Sequence, residues 1–257
     1  MNIINLYKWK KKIFKQISKF KILSFLLHKI WVYIQLIRSK YLYFRFYSLK
    51  KEIFSLSDRG QDKWIIHIFE LKKKPYKGFF LEIGGGDGFA NSNTFILEKY
   101  HGWKGILVEP DPGQFKKLKI HRPNAILSRE VINERNEEVK FSLNGELSSI
   151  VEDHGIKNLK KSTTFNSITL LELLEKNKCP KIIDYFSLDV EGNEDKVLLP
   201  SILNKYTFLS LTIERVTPEL HELLLKRNYF FIRQNIYDSF YINKKIKNFE
   251  KIILERK

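Results

Sequence analysis

The run Phe79-Phe80-Leu81-Glu82-Ile83 leads directly into Gly84-Gly85-Gly86-Asp87-Gly88. The apolar run predicts a buried strand, and the crowded glycines predict a tight turn at which a ligand lies against bare backbone. Register narrows the kind of ligand. A dinucleotide-binding turn, Gly-x-Gly-x-x-Gly, needs its third glycine at position 89 or 91, and these hold Phe89 and Asn91. The spacing acid-x-Gly-x-Gly-x-Gly is instead met in full by Glu82, Gly84, Gly86 and Gly88. A glycine-rich turn with no ligand is the plain alternative.

Beyond the turn, helices and strands alternate. Asn91-Ser92-Asn93-Thr94 supplies capping residues for a helix over 95–100, and Lys104–Val108 reads as a second buried strand ending in Glu109. A helix over 114–121 and a strand near 125–127 continue the pattern, which predicts a mostly parallel sheet. Glu138–Leu143 reads as an extra strand and Gly145–Ser149 as a loop. Thr169-x-x-Glu172 is a capping box for a helix over 170–176. Further strands are expected over 182–188 and 207–213, with helices over 193–199 and 218–227. A helix over 62–71, broken by Lys72-Lys73-Lys74-Pro75, leads into the first strand.

Charge divides the chain. Of a total of +17, residues 1–60 hold +12, from 14 Lys/Arg against Glu52 and Asp58, so the rest holds +5. Residues 7–20 read as an amphipathic helix with Trp9, Ile13, Ile17 and Phe20 on one face and Lys8, Lys11, Lys12, Lys15 and Lys19 mainly on the other. Such a helix suits an anionic membrane surface, with contact expected through residues 1–40, or it packs on the domain or a partner. Residues 20–37 are more apolar, but Lys21, His28, Lys29 and Gln35 interrupt them, so no spanning helix and no secretory signal is expected. The aromatic and basic stretch 41–47 also suits single-stranded nucleic acid, which is the least favoured partner. The domain reading is a helical region over 1–60 and an α/β domain over 61–257. The lone Cys179 excludes an intramolecular disulfide and a cysteine-based zinc cluster, and is read as structural; a cytoplasmic protein, peripheral at a membrane surface at most, is expected.

Acids mark the strand ends. In an open α/β sheet ligands sit beyond the carboxyl ends of the strands. Glu109, ending the second strand, suits a ribose whose two hydroxyls a carboxylate accepts, and Glu130, beyond the third, suits an adenine amino group. Asp189 and Glu191 come after the fourth strand and share a side if it persists that far; Glu214 ends the next. Three converging acids predict a general base for a hydroxyl or a divalent-cation site, against the alternative of solvated helix-capping acids.

Together, Phe80-Leu81-Glu82-Ile83-Gly84-Gly85-Gly86-Asp87-Gly88, Asn91-Ser92-Asn93-Thr94, Gly105-Ile106-Leu107-Val108-Glu109-Pro110 and Asp184-Tyr185-Phe186-Ser187-Leu188-Asp189-Val190-Glu191-Gly192-Asn193-Glu194 resemble the FkbM family of S-adenosylmethionine (SAM)-dependent methyltransferases, over about 78–243. The resemblance implies a Rossmann-like class I methyltransferase fold, a mostly parallel seven-stranded sheet flanked by helices, and O-methylation of a hydroxyl on a sugar, glycan or secondary metabolite. It implies that Glu82, Gly84, Gly86 and Glu109 bind SAM and that Asp189 lies at the methyl-transfer site; Gly88 and Asn93, beside them in the turn and the segment after it, are expected to contact the cofactor as well. Ser149 and Arg215 depart from the family, which often has glycine and histidine there. No Asp/Asn-Pro-Pro-aromatic segment comes after the fourth strand, so amino-group methylation of nucleic acid is not expected. The reading from another class is a membrane-associated interaction protein that keeps the fold without turnover.

Overall fold

The structure is a computed structural model that describes residues 55–143, 148–150 and 162–255, with scattered helical positions between 26 and 41. The amphipathic helix expected over 7–20 lies outside the described residues, as does nearly all of the aromatic stretch 41–47. Among the described residues no helix is long and apolar enough to cross a membrane. The chain divides into two compact units, Met1–Phe54 and Ser55–Lys257, and the second carries the sheet and takes in residues 55–60. Asp62 shows why: its buried carboxylate accepts the Ser55 and Ser57 hydroxyls at 2.5 and 2.7 Å and the Leu56 N–H at 2.8 Å, which fixes this segment onto the first helix.

In chain order that unit runs α1 (Gln61–Ile68), β1 (Phe79–Ile83), α2 (Phe95–His101), β2 (Lys104–Val108), α3 (Pro112–His121) and β3 (Ile126–Ser128). A smaller β layer comes next: β4 (Val131–Ile132), β5 (Glu138–Ser142), β6 (Ser149–Ile150) and β7 (Ser162–Ile168). The chain then returns through α4 (Leu170–Lys176), β8 (Ile182–Leu188), α5 (Glu194–Val197), α6 (Pro200–Lys205), β9 (Thr207–Glu214) and α7 (Pro218–Lys226). It closes with β10 (Tyr229–Asn235), β11 (Asp238–Asn243) and α8 (Phe249–Glu255).

The main sheet has seven strands in the order β10-β11-β9-β8-β1-β2-β3. All neighbours are parallel except the pairs of β11 with β9 and β10. The order reverses beside β1: its crossover through α2 leads to β2 on one flank, and the later chain returns to place β8 on the other. β1 and β8 carry near-continuous apolar runs because helices cover both faces of the sheet. Leu81, Ile106, Leu173, Phe186 and Leu211 belong to one buried cluster spanning the sheet and α4. The β4-β7-β5-β6 sheet has its own small core of Val131, Val139 and Phe141.

Three local expectations shift. Pro200 holds Leu199 extended (ψ 155°) and starts a new helix, so the single helix expected over 193–199 becomes α5 and α6. Ser149, read as loop, pairs with Ser142 in β6. The capping box at α4 is half made. The Thr169 hydroxyl accepts the Glu172 N–H, but the Thr169 N–H goes to the Asn136 carbonyl oxygen, and the Asn136 amide donates to Glu172.

Candidate active site

A cavity of about 280 Å³ opens where the strand order reverses, at the carboxyl ends of β1, β2, β8 and β9. It is lined by Glu82, Gly84, Gly86, Asn93, Glu109, Asp189, Glu191 and Glu214, so eight of the ten residues singled out from sequence meet in one place. Gly88 and Glu130 do not. Gly88 faces inward, where an added Cβ would come within 2.4 Å of Leu118 and 2.8 Å of Arg122. Glu130 is drawn away by Lys176, whose Nζ donates to it at 2.7 Å.

The glycine turn divides its work by position. Gly84 has φ +86°, and a Cβ there would lie 1.9 Å from the Asp189 carbonyl oxygen, so only a bare backbone lets β1 end against the end of β8. Gly86 has φ +53°, yet a Cβ there would meet nothing within 4 Å, so its surface is open to the cavity. Its N–H donates to Glu109 Oε2 at 2.8 Å, and the Asp111 N–H donates to Oε1 at 2.7 Å. Each Glu109 oxygen thus has one partner and room for another. Burial pushes this carboxyl up to about 7.

Glu82 is committed elsewhere. It accepts the Asn93 N–H at 2.9 Å, the Ser92 hydroxyl at 3.3 Å and the Thr94 hydroxyl, so it holds the loop before α2 against the strand. Beneath it lies Arg122, a fully buried guanidinium that pairs with Glu98 at 2.5 Å, stands 3.9 Å from Glu82, and donates to Thr94, Ser92 and the Gly88 carbonyl. Nothing in the sequence singles out Arg122, because a lone arginine after a surface-facing helix has no local signature. Asn93 donates its amide to Ser187 at 2.8 Å, tying the same loop to β8.

The far wall is acidic. β8 stops at Leu188, and Glu191 and Gly192 take φ of +60° and +110°, so the alternation expected to align Asp189 with Glu191 is broken by a left-handed turn. Asp189, Glu194 and Glu214 are grouped instead, with one carboxylate oxygen of each within 4.8 Å of the other two. Burial, and after it the neighbouring Glu214, holds Asp189 well above the usual carboxylate range, and burial also raises Glu194. Arg215 spans the mouth, pairing through Nη1 with Glu191 and, at 3.0 Å, with Glu214. Asp58, Arg59, Gln61 and Asp238 complete the wall. None of the four is among the site residues expected from sequence; Asp58, Arg59 and Gln61 sit at the point taken as a domain boundary, and their place depends on Asp62 and on the Gln61–Asp238 hydrogen bond at 3.0 Å.

A doubly wound sheet with a bare-backbone turn after its first strand and an acid after its second defines a Rossmann-like class I methyltransferase fold. Residues 82–238, more than half of the chain, match the methyltransferase FkbM domain, and the chain belongs to that family. That family is one of SAM-dependent methyltransferases. No curated protein sequence matches the chain. Among solved structures it is similar to the N-terminal domain of human METTL16 in complex with SAH (13% identity, TM-score 0.41, 70% of this chain and 66% of that one). It is also similar to precorrin-6y C5,15-methyltransferase from Geobacter metallireducens (9%, 0.38, 70% and 86%) and to a TehB-like SAM-dependent methyltransferase from Corynebacterium glutamicum (12%, 0.35, 83% and 96%). The chain spans 64–66% of the METTL16 chains it matches.

The residues present fit SAM. The open Gly86 backbone and the half-satisfied Glu109 carboxylate leave what a ribose and a methionine moiety need.

Proposed function

We propose that this protein methylates a hydroxyl oxygen on a sugar, glycan or secondary metabolite. The observation that carries the reading is the half-buried Asp189–Glu214 carboxyl pair at the ends of β8 and β9, in the same cavity as the Gly84–Gly86 turn. An alcohol must lose its proton as its oxygen attacks, whereas a free amine attacks through its lone pair, and burial makes an ionised carboxylate a stronger base than an exposed one. Bound SAM supplies an electrophilic methyl on a sulfonium. Glu109 and the glycine turn hold the donor, and Gly84 keeps that turn in contact with Asp189. Asp189, backed by Glu214, takes the hydroxyl proton as the new O–C bond forms and the S–C bond breaks. Most of the rate enhancement comes from alignment of the oxygen with the methyl.

The test is to incubate the protein with ¹³C-methyl SAM and metabolite and glycan extracts, and to read the product by NMR. An O-methyl carbon is expected. An N-methyl product would overturn the hydroxyl assignment, and cofactor binding without any labelled product would favour a non-catalytic interaction protein.

Residues 1–40 are proposed as a basic surface that holds the enzyme at an anionic membrane, supported by the +12 charge of residues 1–60.

A further inference from the structure

Asp189, Glu194 and Glu214 come from the end of β8, the start of α5 and the end of β9, and one carboxylate oxygen from each lies within 4.8 Å of the other two. They are poorly compensated. Arg215 divides itself between Glu191 and Glu214, and among the described residues neither Asp189 nor Glu194 is ion-paired with a lysine, arginine or histidine. The backbone N–H groups that Glu194 accepts, from Val190 and Gly192, both fall on Oε1. Such a group by itself is only a repulsive patch.

The independent observation is Asn193. It is 5% exposed and lines the cavity with Asp189 and Glu214. Its carbonyl oxygen is buried without a hydrogen-bond donor among the described residues. Asn193 is the N-cap of α5, where an asparagine oxygen ordinarily accepts a backbone N–H of the first turn, yet it makes no such bond. A buried carbonyl that forgoes its local partner is destabilising unless something else satisfies it. Three carboxylates and an amide carbonyl form an all-oxygen donor set, the kind that selects hard divalent cations over softer metals.

We propose that Asp189, Asn193, Glu194 and Glu214 bind a divalent cation of the Mg²⁺/Mn²⁺ class. Resting on the hydroxyl-methylation reading, the ion holds the acceptor oxygen beside the methyl donor and offsets its developing negative charge, while the proton passes to the Asp189 carboxylate oxygen that does not face the ion. This gives Asn193 and Glu194, neither of which is among the site residues expected from sequence, a positioning role as ligands.

The probe is Mn²⁺ alone, added to the full chain after chelator treatment and monitored by water-proton relaxation and by thermal melting, with neither SAM nor acceptor present. The wild type is expected to bind Mn²⁺ in a single saturable class and to melt higher when it is bound. Asp189→Asn and Glu214→Gln should each weaken binding about tenfold or more, while Asn193→Asp, which keeps the oxygen ligand, should retain it. Glu134→Gln, an exposed acid outside the cavity, should change nothing. Asp189→Asn relieves repulsion, so without metal it should melt at or above the wild-type temperature; if it fails to fold, Glu214→Gln carries the comparison. Wild-type binding no tighter than that of these variants, or equal weakening by Glu134→Gln, overturns the site. Because no cofactor or acceptor is used, absent Mn²⁺ binding with intact O-methyl transfer rejects the ion alone, and Mn²⁺ binding with an N-methyl product rejects the hydroxyl reading alone.

Discussion

Glu109 ties the cofactor half of the cavity to pH. Its folded-state pKa of about 7 lies above the 4.5 of an unconstrained glutamate, so the native chain keeps a proton that the unfolded chain has released. This contribution to stability is fully present below about pH 4.5, is lost as pH rises through about 7, and amounts to about 3 kcal/mol at most. Urea denaturation of Glu109→Gln across that window should show a flatter pH profile than the wild type. Ribose hydroxyls donate to the ionised carboxylate, so SAH affinity in the wild type should rise towards pH 8 and the variant should lose both affinity and slope; calorimetric titration reads this. Arg122 acts on the same turn from below. Replacing it by leucine leaves Glu82 and Glu98 buried without their cation, and the expected loss is about 3–5 kcal/mol in chemical denaturation.

At the scale of elements, the site depends on how closely β1 and β8 end together. The Asp189 N–H donates to the Ile83 carbonyl at 3.1 Å, and Gly84 passes beside the Asp189 carbonyl. Gly84→Ala forces the two ends apart and strains a φ of +86°, so it should lower the melting temperature and abolish SAH binding, whereas Gly86→Ala, strained at φ +53° but with open space at its Cβ, should still fold, with a smaller loss of stability and a loss of affinity. Most of this element structure was legible in the chain. β2, α4 and β8 fall on their expected bounds because each is a short apolar segment with clear punctuation. The cofactor side was legible for the same reason, since glycines and strand-end acids act within a few residues of one another. The rest was not, because it is long-range. Arg122 matters through Glu98, Gln61 through Asp238, and Glu194 joins Asp189 only because a left-handed turn at Glu191 rotates the chain.

For the whole molecule, charge is unevenly spread along the sequence. Residues 1–60 carry +12, while the cavity wall holds Asp58, Glu109, Asp189, Glu191, Glu214 and Asp238 with Arg59 as the Lys/Arg among the described lining residues. Sedimentation with anionic liposomes should pellet the full chain and leave one lacking residues 1–40 in solution, with the difference vanishing at high salt. Equal pelleting of both would remove the proposed membrane contact.

The acidic wall also bears on turnover. Methyl transfer converts a sulfonium cation into a neutral thioether, so the donor arrives attracted to these carboxylates and its by-product stays without that attraction. The enzyme should therefore be weakly inhibited by its own product, with SAH binding no tighter than SAM and the gap between them narrowing as salt is raised. Competition titrations at two ionic strengths would show it.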